Sequence, residues 1–258
     1  NKDMSFMMDT FEDRVKQLND LIAKSNRIVF FGGAGVSTES GIPDFRSTDG
    51  LYNQHDVQFD GFEPEYLLSR SCLHKHPAVF YEFYRQKLDC RTIEPNITHY
   101  KLAELEKCGK LMGIVTQNID GLHQKAGSEA VYEIHGTTEK NYCPRCGKKY
   151  PADYIFTCGE MIPKCECGGM IRPDVTLYEE NLPETAWSNA IYALSNADLL
   201  IIGGTSLSVW PAAGMIQYAH CPTVLINKGV VDAKVVTDID FKEGLGEVFS
   251  KIKTDYEV

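Results

Sequence analysis

With 258 residues, 43% apolar and 24% charged, the chain is long enough for one large α/β core with a smaller second domain, and its proportions are those of an ordinary globular protein. A formal net charge of −10 argues against a general nucleic-acid binder, because neutralising phosphates needs clustered Lys and Arg. No run approaches the roughly 20 apolar residues of a membrane span, and nine cysteines with no export signal ahead of the first helical pattern read as reduced thiols or metal ligands, so a cytoplasmic protein without membrane contact is expected.

Thr10 opens the first pattern as an N-cap, with Phe11, Val15, Leu18, Leu21 and Ile22 at helical spacing. Residues 28 to 31 are a continuous apolar run of the kind that forms a buried parallel strand, leading into Gly33-Ala34-Gly35. Glycines there let backbone amides approach an anion, since a Cβ would crowd the turn or the ligand. The third glycine of the usual dinucleotide fingerprint is absent, and the stretch runs on instead to Gly41-Ile42-Pro43-Asp44-Phe45-Arg46, where Arg46 offers a planar cation. Residues 51 to 88 carry no strong strand and predict a helical excursion, with His76-Pro77 opening a helix through Phe80, Tyr84 and Leu88. Asn96-Ile97-Thr98 matches a glycosylation acceptor by chance. Thr98 is expected to cap the next helix, which carries Leu102 and Leu105 and closes at Gly109. Short apolar runs at 111–116, 131–134, 198–202 and 223–226 predict strands, with helices over 184–194 and 211–218. Strands alternating with helices imply a Rossmann-like doubly wound parallel sheet whose ligands sit at the carboxyl ends of the strands.

Four further groups stand out, most of them near such ends. Gln117, Asn118 and Asp120 bunch on one turn and are able to hold a ribose, an amide or a water. His135 ends a predicted strand, where an imidazole beside a nucleotide site is a natural general base, the alternative being a core histidine. Gly203-Gly204-Thr205-Ser206 follows the 198–202 strand and suits phosphate or ribose, as does Asn227 after the 223–226 strand. Finally, Cys143 and Cys146, then Cys165 and Cys167, form two close pairs that fit a structural tetrahedral zinc, with Cys158 between them as a substitute ligand.

Taken together, the ordered motifs GAGVSTESGIPDFR, TQNIDGLHQKAG, His135-Gly136, the cysteine pairs, RPDV at 172–175 and GTSLSVWPA at 204–212 resemble the sirtuin family, NAD-dependent protein deacylases, in a bacterial form. The resemblance implies a Rossmann-like NAD-binding domain from residues 9–50, 89–138 and 174–258, with a small helical and zinc-binding domain from 51–88 and 139–173. It implies NAD contacts from Ala34, Gly35, Ser37, Thr38, Asp44, Phe45, Arg46, Gln117, Asn118, Ile119, Asp120, His135, Gly204, Thr205, Ser206 and Asn227. His135 and Asn118 would be catalytic. Val175, Tyr178, Leu207, Val209 and Trp210 would hold an acetyl-lysine peptide as an added strand. The implied reaction moves the acetyl group to ADP-ribose and frees nicotinamide. Mono-ADP-ribosyl transfer and NAD sensing are the alternatives on the same scaffold. Two departures stand out: Tyr178-Glu179-Glu180 replaces the family's Phe-Gly-Glu, and the Tyr and Arg of succinyl-preferring members are matched by Tyr84 and Lys87, from which removal of acetyl over succinyl is expected.

Overall fold

The structure, a computed structural model, describes residues 9–45, 50–53, 59 and 61–258. Its strands are β1 (Ile28–Gly32), β2 (Leu111–Thr116), β3 (Val131–Glu133), β4 (Gly136–Tyr142), β5 (Lys149–Pro151), β6 (Arg172–Val175), β7 (Leu199–Gly203), β8 (Thr223–Ile226) and β9 (Ile239–Phe241). Its helices are α1 (Phe11–Lys24), α2 (Gly35–Thr38), α3 (Arg70–Lys75), α4 (Pro77–Lys87), α5 (Ile97–Lys107), α6 (Leu122–Lys125), α7 (Ala152–Thr157), α8 (Glu184–Asn196) and α9 (Leu245–Phe249).

Six strands pair in the order β3-β2-β1-β7-β8-β9, all parallel. The period of two along a strand explains why the apolar runs are continuous rather than alternating. Ile28 and Phe30 point to one face, into a core with Leu18, Ile22, Leu102, Leu105 and Phe249. Val29 and Phe31 point to the other, against Ala190, Ala193 and Leu194 of α8. Both faces are therefore covered, as a doubly wound parallel sheet requires. Truncating Phe30, fully buried among these side chains, to Ala would cost roughly 3–5 kcal/mol. Thr10 caps α1 as read from sequence: its hydroxyl accepts the Asp13 amide at 3.1 Å and its own amide donates to the Asp13 carboxylate at 3.3 Å.

The sequence reading left out a second sheet, β5-β4-β6, antiparallel throughout. Its strands are polar, and β6 holds Pro173, which breaks the usual strand pattern. β4 and β6 straddle the domain crossings drawn from sequence at 138/139 and 173/174. An aromatic core of Phe80, Tyr81, Phe83 and Tyr84 from α4 packs with Ile155, Ile171 and Leu177 beside this sheet. One local expectation is corrected. The cap of α5 is Asn96, whose Oδ1 accepts the Thr98 amide at 3.0 Å, and Thr98 lies buried in the first turn. The helical stretch expected over 211–218 is a 3-10 helix, Ala212–Tyr218.

His99 and His123 are buried with ring centroids 4.9 Å apart, one from α5 and one from α6. The Asn96 amide donates to His99 Nδ1 at 3.0 Å, which requires that nitrogen to be unprotonated. Neither ring nitrogen of His123 meets a partner among the described residues. Burial pushes His99 down to about 4, and burial together with the neighbouring His99 pushes His123 down to about 3. The unfolded chain takes up these protons near pH 6.5, so below that point it binds more protons than the folded chain does. This contribution is present in full above about pH 6.5 and is lost as pH falls toward 4, at about 1.4 kcal/mol per histidine per pH unit. Urea unfolding at neutral pH and at pH about 5 should show the loss, and His123→Leu should shrink it. An acid loss of the same size in that variant would exclude the pair as its source.

Candidate active site

The register of the parallel sheet builds the site. Gly32 stands opposite both Thr116 and Gly203, and Gly203 stands opposite Ile226. Gly33, Gln117, Gly204 and Asn227 are thus each the first residue beyond four neighbouring strand ends. On the outer side Thr116 pairs with Glu133, which brings His135 to the same edge. The chain moves outward from β1 to β3 and later returns to β7 on the other side of β1, so this row lies at the sheet's topological switch point.

The two glycine loops meet backbone to backbone. The Gly35 amide donates to the Gly204 carbonyl at 2.8 Å and the Gly33 amide to the Gly203 carbonyl at 3.3 Å. A Cβ on Gly35 would come within 2.6 Å of Gly204 Cα, and one on Gly33 within 2.9 Å of Thr205 Cβ. The amides of Gly33 and Gly35 themselves are used in joining β1 to β7. Thr205 Oγ1 accepts from Gln117 Nε2 at 3.2 Å and from the Leu207 amide at 3.1 Å, with Leu207 at a φ of 55°.

Around this seam lies a hydrogen-bonded group. Ser37 Oγ donates to Asp120 Oδ2 at 2.5 Å, and Asn118 Nδ2 donates to the Gly33 carbonyl at 2.9 Å and to Ser37 Oγ at 3.2 Å. Asp120 is buried, which raises its pKa against the opposing hydrogen bonds from Ser37 and the Leu122 amide. His135 Nδ1 is 3.1 Å from the Gln117 carbonyl, so Nδ1 carries the proton and Nε2 is the basic nitrogen. Two residues earlier, burial pushes the Glu133 carboxyl up to about 7. Ala34 forms the N-cap of α2, Thr38 is exposed on it, and Asp44 and Phe45 accept the amides of Leu51 and Tyr52 through their carbonyls. Ile119 takes the Thr138 amide on its carbonyl at 2.9 Å, Ser206 is exposed, and Asn227 Nδ2 donates to the Gly229 carbonyl at 3.2 Å. Arg46 lies outside the described residues.

Asn96 supports this group from behind. Its Nδ2 donates to the Val36 carbonyl at 2.7 Å and to Ser40 Oγ at 2.8 Å, fixing the short helix that carries Ser37. The sequence reading placed Asn96 only in a chance glycosylation match and gave no sign of these contacts.

Residues 33 to 211 match the sequence model of the Sir2 family. The chain belongs to the Sir2 family. Proteins named NAD-dependent protein deacetylase from Clostridium acetobutylicum and Clostridium perfringens are 48% identical over 242 residues and 49% identical over 245. Each alignment covers 93% of this chain, and they cover 98% and 99% of those proteins. A solved Sir2 structure with a deacetylated p53 peptide and 3′-O-acetyl-ADP-ribose superposes with a TM-score of 0.83 at 34% identity, covering 92% of this chain and 96% of that one. Another, of Sir2 with a p53 peptide and NAD+, does so at 0.79, with 35% identity and the same coverage.

Among the segments that the resemblance assigns to peptide, Val175 and Leu207 are buried, Val209 is half-buried, and Tyr178 and Trp210 are exposed. Val175 pairs with Gly136, and the Thr176 amide donates to the His135 carbonyl at 2.9 Å, so this Sir2 chain sets its 175–178 segment directly beside His135. Tyr84 is fully buried and stacks between Phe80 and Phe156, at 5.9 and 5.7 Å, inside the small core. The expectation of acetyl over succinyl rests on Lys87 in place of Arg, which the burial of Tyr84 leaves as it was.

The four cysteine sulfurs of residues 143, 146, 165 and 167 lie within 4.8 Å of one another, with Cys143 and Cys167 at 3.6 Å and Cys146 and Cys165 at 3.5 Å. A tetrahedron with roughly 2.3 Å Zn–S bonds has edges of about 3.8 Å, so the donor set fits zinc. Gly169 has to lack a side chain, since its Cβ would lie 2.6 Å from Cys143 Sγ. Cys158 is elsewhere, 3.6 Å from Arg85 Nη2. Metal analysis of the purified chain should return one zinc per chain, and Cys143→Ser should lose it along with roughly 3 kcal/mol or more of stability. Full stability without metal would remove the structural site. Asn96→Asp separates the two roles of Asn96: Asp caps a helix as well as Asn does, but it has no donors for Val36 and Ser40. KM for NAD should rise about tenfold, with roughly 1–3 kcal/mol of stability lost from the unpaired Val36 carbonyl, and an unchanged KM would confine Asn96 to a structural role.

Proposed function

We propose that the chain is an NAD-dependent protein lysine deacetylase that moves the acetyl group of an acetyl-lysine peptide onto ADP-ribose, releasing nicotinamide and O-acetyl-ADP-ribose. The observation that carries this reading is the placement of His135, held at Nδ1 by the Gln117 carbonyl, beside the Ser37–Asp120–Asn118 group at the switch point of the sheet. The names of the relatives and the contents of the solved Sir2 structures support it. NAD supplies an electrophilic ribose carbon with nicotinamide as leaving group. His135 is the general base, taking a ribose hydroxyl proton at Nε2. Asn118 and Ser37 orient the ribose or a water, and the Gly33 carbonyl and Asp120 fix both side chains before anything binds.

In this reading Gln117 holds the nicotinamide ribose, while Ile119 and Asp120 meet the carboxamide. Ala34, Gly35, Thr38 and Arg46 contact NAD, with Asp44 and Phe45 near its nicotinamide end. Gly204, Thr205, Ser206 and Asn227 serve the phosphates and the adenosine. The acyl peptide lies as a strand between Val175 with Tyr178 and the Leu207, Val209 and Trp210 segment, where backbone hydrogen bonds give affinity. Zinc holds the small domain and takes no part in the chemistry, because four protein thiolates leave no open position on the metal. The net charge of −10 favours basic protein substrates over nucleic acid. Among the described residues no helix is long and apolar enough to cross a membrane, which accords with a cytoplasmic enzyme.

Mass spectrometry of an acetyl-lysine peptide incubated with NAD tests the reading. Free lysine peptide and O-acetyl-ADP-ribose are expected; nicotinamide release with ADP-ribose attached to protein instead would make the chain a transferase. His135→Ala should keep NAD binding and lose deacetylation by at least about a hundredfold. Near-normal turnover in that variant would take His135 out of the mechanism.

A further inference from the structure

The end of the cofactor motif and the peptide-side segment meet through two tyrosines that are 126 residues apart in sequence. The hydroxyls of Tyr52 and Tyr178 are 2.9 Å apart, and their ring centroids are 6.5 Å apart. Each tyrosine is anchored to its own wall. The Tyr52 ring packs 5.4 Å from that of Phe45, its amide donates to the Phe45 carbonyl at 2.8 Å, and the Leu51 amide donates to Asp44 at 2.7 Å. Residues 51 and 52 are therefore fastened to the far end of the glycine-rich motif. On the other side the Tyr178 amide donates to the Leu68 carbonyl at 3.0 Å and its carbonyl accepts from Arg70 at 3.1 Å. Two residues earlier Thr176 is bonded to the carbonyl of His135.

A phenylalanine at 178 would supply the ring but no hydroxyl, so the bond between the two segments depends on tyrosine at this position. We propose that the Tyr52–Tyr178 hydroxyl pair is a latch that couples acyl-peptide binding to NAD binding. The proposal rests on the deacetylase reading, since it takes residues 44–45 as cofactor wall and 175–178 as peptide wall. A peptide strand laid against the 175–178 segment restricts Tyr178; Tyr178 restricts Tyr52; and Tyr52 restricts Phe45 and Asp44 at the cofactor end. Coupling is reciprocal, so NAD tightens peptide by the factor with which peptide tightens NAD. The bond is neutral and partly solvated, which places its share of the coupling at about two- to fivefold.

The test uses calorimetric titration with a carbocyclic NAD analogue that cannot release nicotinamide, with and without an acetyl-lysine peptide, on wild type, Tyr52→Phe, Tyr178→Phe and the double variant. In wild type the peptide is expected to tighten the analogue. Each single variant should lose about two- to fivefold of that enhancement, and the double variant should lose no more than either single, because both remove one shared bond. Affinity for the analogue alone and the unfolding midpoint should stay near wild type, which separates lost coupling from a damaged fold. Full enhancement in either single variant, no enhancement in wild type, or additive losses would overturn the latch. Wild-type turnover of the same acetyl peptide, followed by mass spectrometry, keeps the two ideas apart. Turnover with unaltered coupling in the variants sinks the latch alone, and absence of turnover removes the deacetylase reading and the latch with it.

Discussion

The site depends on the contact of two glycine loops at the carboxyl ends of β1 and β7. Gly35 and Gly204 touch through backbone atoms, and Gly204, at a φ of 64°, would drive a Cβ to within 2.7 Å of the Val36 amide. Only residues without side chains close that seam. From it a line of hydrogen bonds runs outward: the turn holds Thr205, Thr205 accepts from Gln117, the Gln117 carbonyl faces His135 Nδ1, and the His135 carbonyl accepts from Thr176. Each link fixes the next without crossing open solvent. A shift of the β7 loop would therefore reach His135 through three contacts and the 175–178 segment through one more.

The legible parts of the fold were those whose pattern has one physical explanation. A strand buried on both faces has to be continuously apolar, and the runs at 111–116 and 223–226 matched β2 and β8 residue for residue. Close cysteine pairs near glycines left few choices, although geometry was needed to exclude Cys158. The antiparallel sheet was illegible because half of its side chains are polar and one strand contains Pro173. Asn96 and Thr98 are both good capping types two residues apart, and only the burial of Thr98 and the contacts of Asn96 with Val36 and Ser40 separate them. Roles that depend on distant partners, such as Ser37 with Asp120 across 83 residues, leave no local trace in the chain.

Tyr84 shows that a spacing read from sequence does not give the surroundings of the side chain. Its spacing to Lys87 on α4 is real, but the helix turns that face inward, and the ring stacks between Phe80 and Phe156 with its hydroxyl buried and unpartnered among the described residues. Tyr81, three residues before it, lines the same core and bonds the Ile171 carbonyl through its hydroxyl. Helical periodicity gives three residues one direction, but it does not say whether that direction is a pocket or a core. The aromatic stripe belongs to the small domain's stability, where it borders the cysteine cluster through Cys143 and Cys165.

The departure at 178–180 follows a different logic. The backbone at Glu179 keeps a φ of 77°, the left-handed region that a glycine adopts without strain. Glu179 keeps this conformation because its carboxylate has work elsewhere: it accepts the Ser71 amide at 3.0 Å and the Ser71 hydroxyl at 2.6 Å, in the first turn of α3, and these bonds hold its pKa below the usual carboxylate range. Beside it Glu180 forms a two-pronged pair with Arg172, at 2.5 and 2.9 Å, and also accepts the Leu177 amide. Both ions are largely buried, so removing either would leave an unpaired charge under the 175–178 segment. A side chain at 179 exchanges the backbone freedom of a glycine for an anchor beside Tyr178. In the proposed reading, where 175–178 is the peptide wall, a wall held in this way reaches the bound conformation with less ordering left to do, which favours affinity for a peptide that fits over adaptability to one that does not.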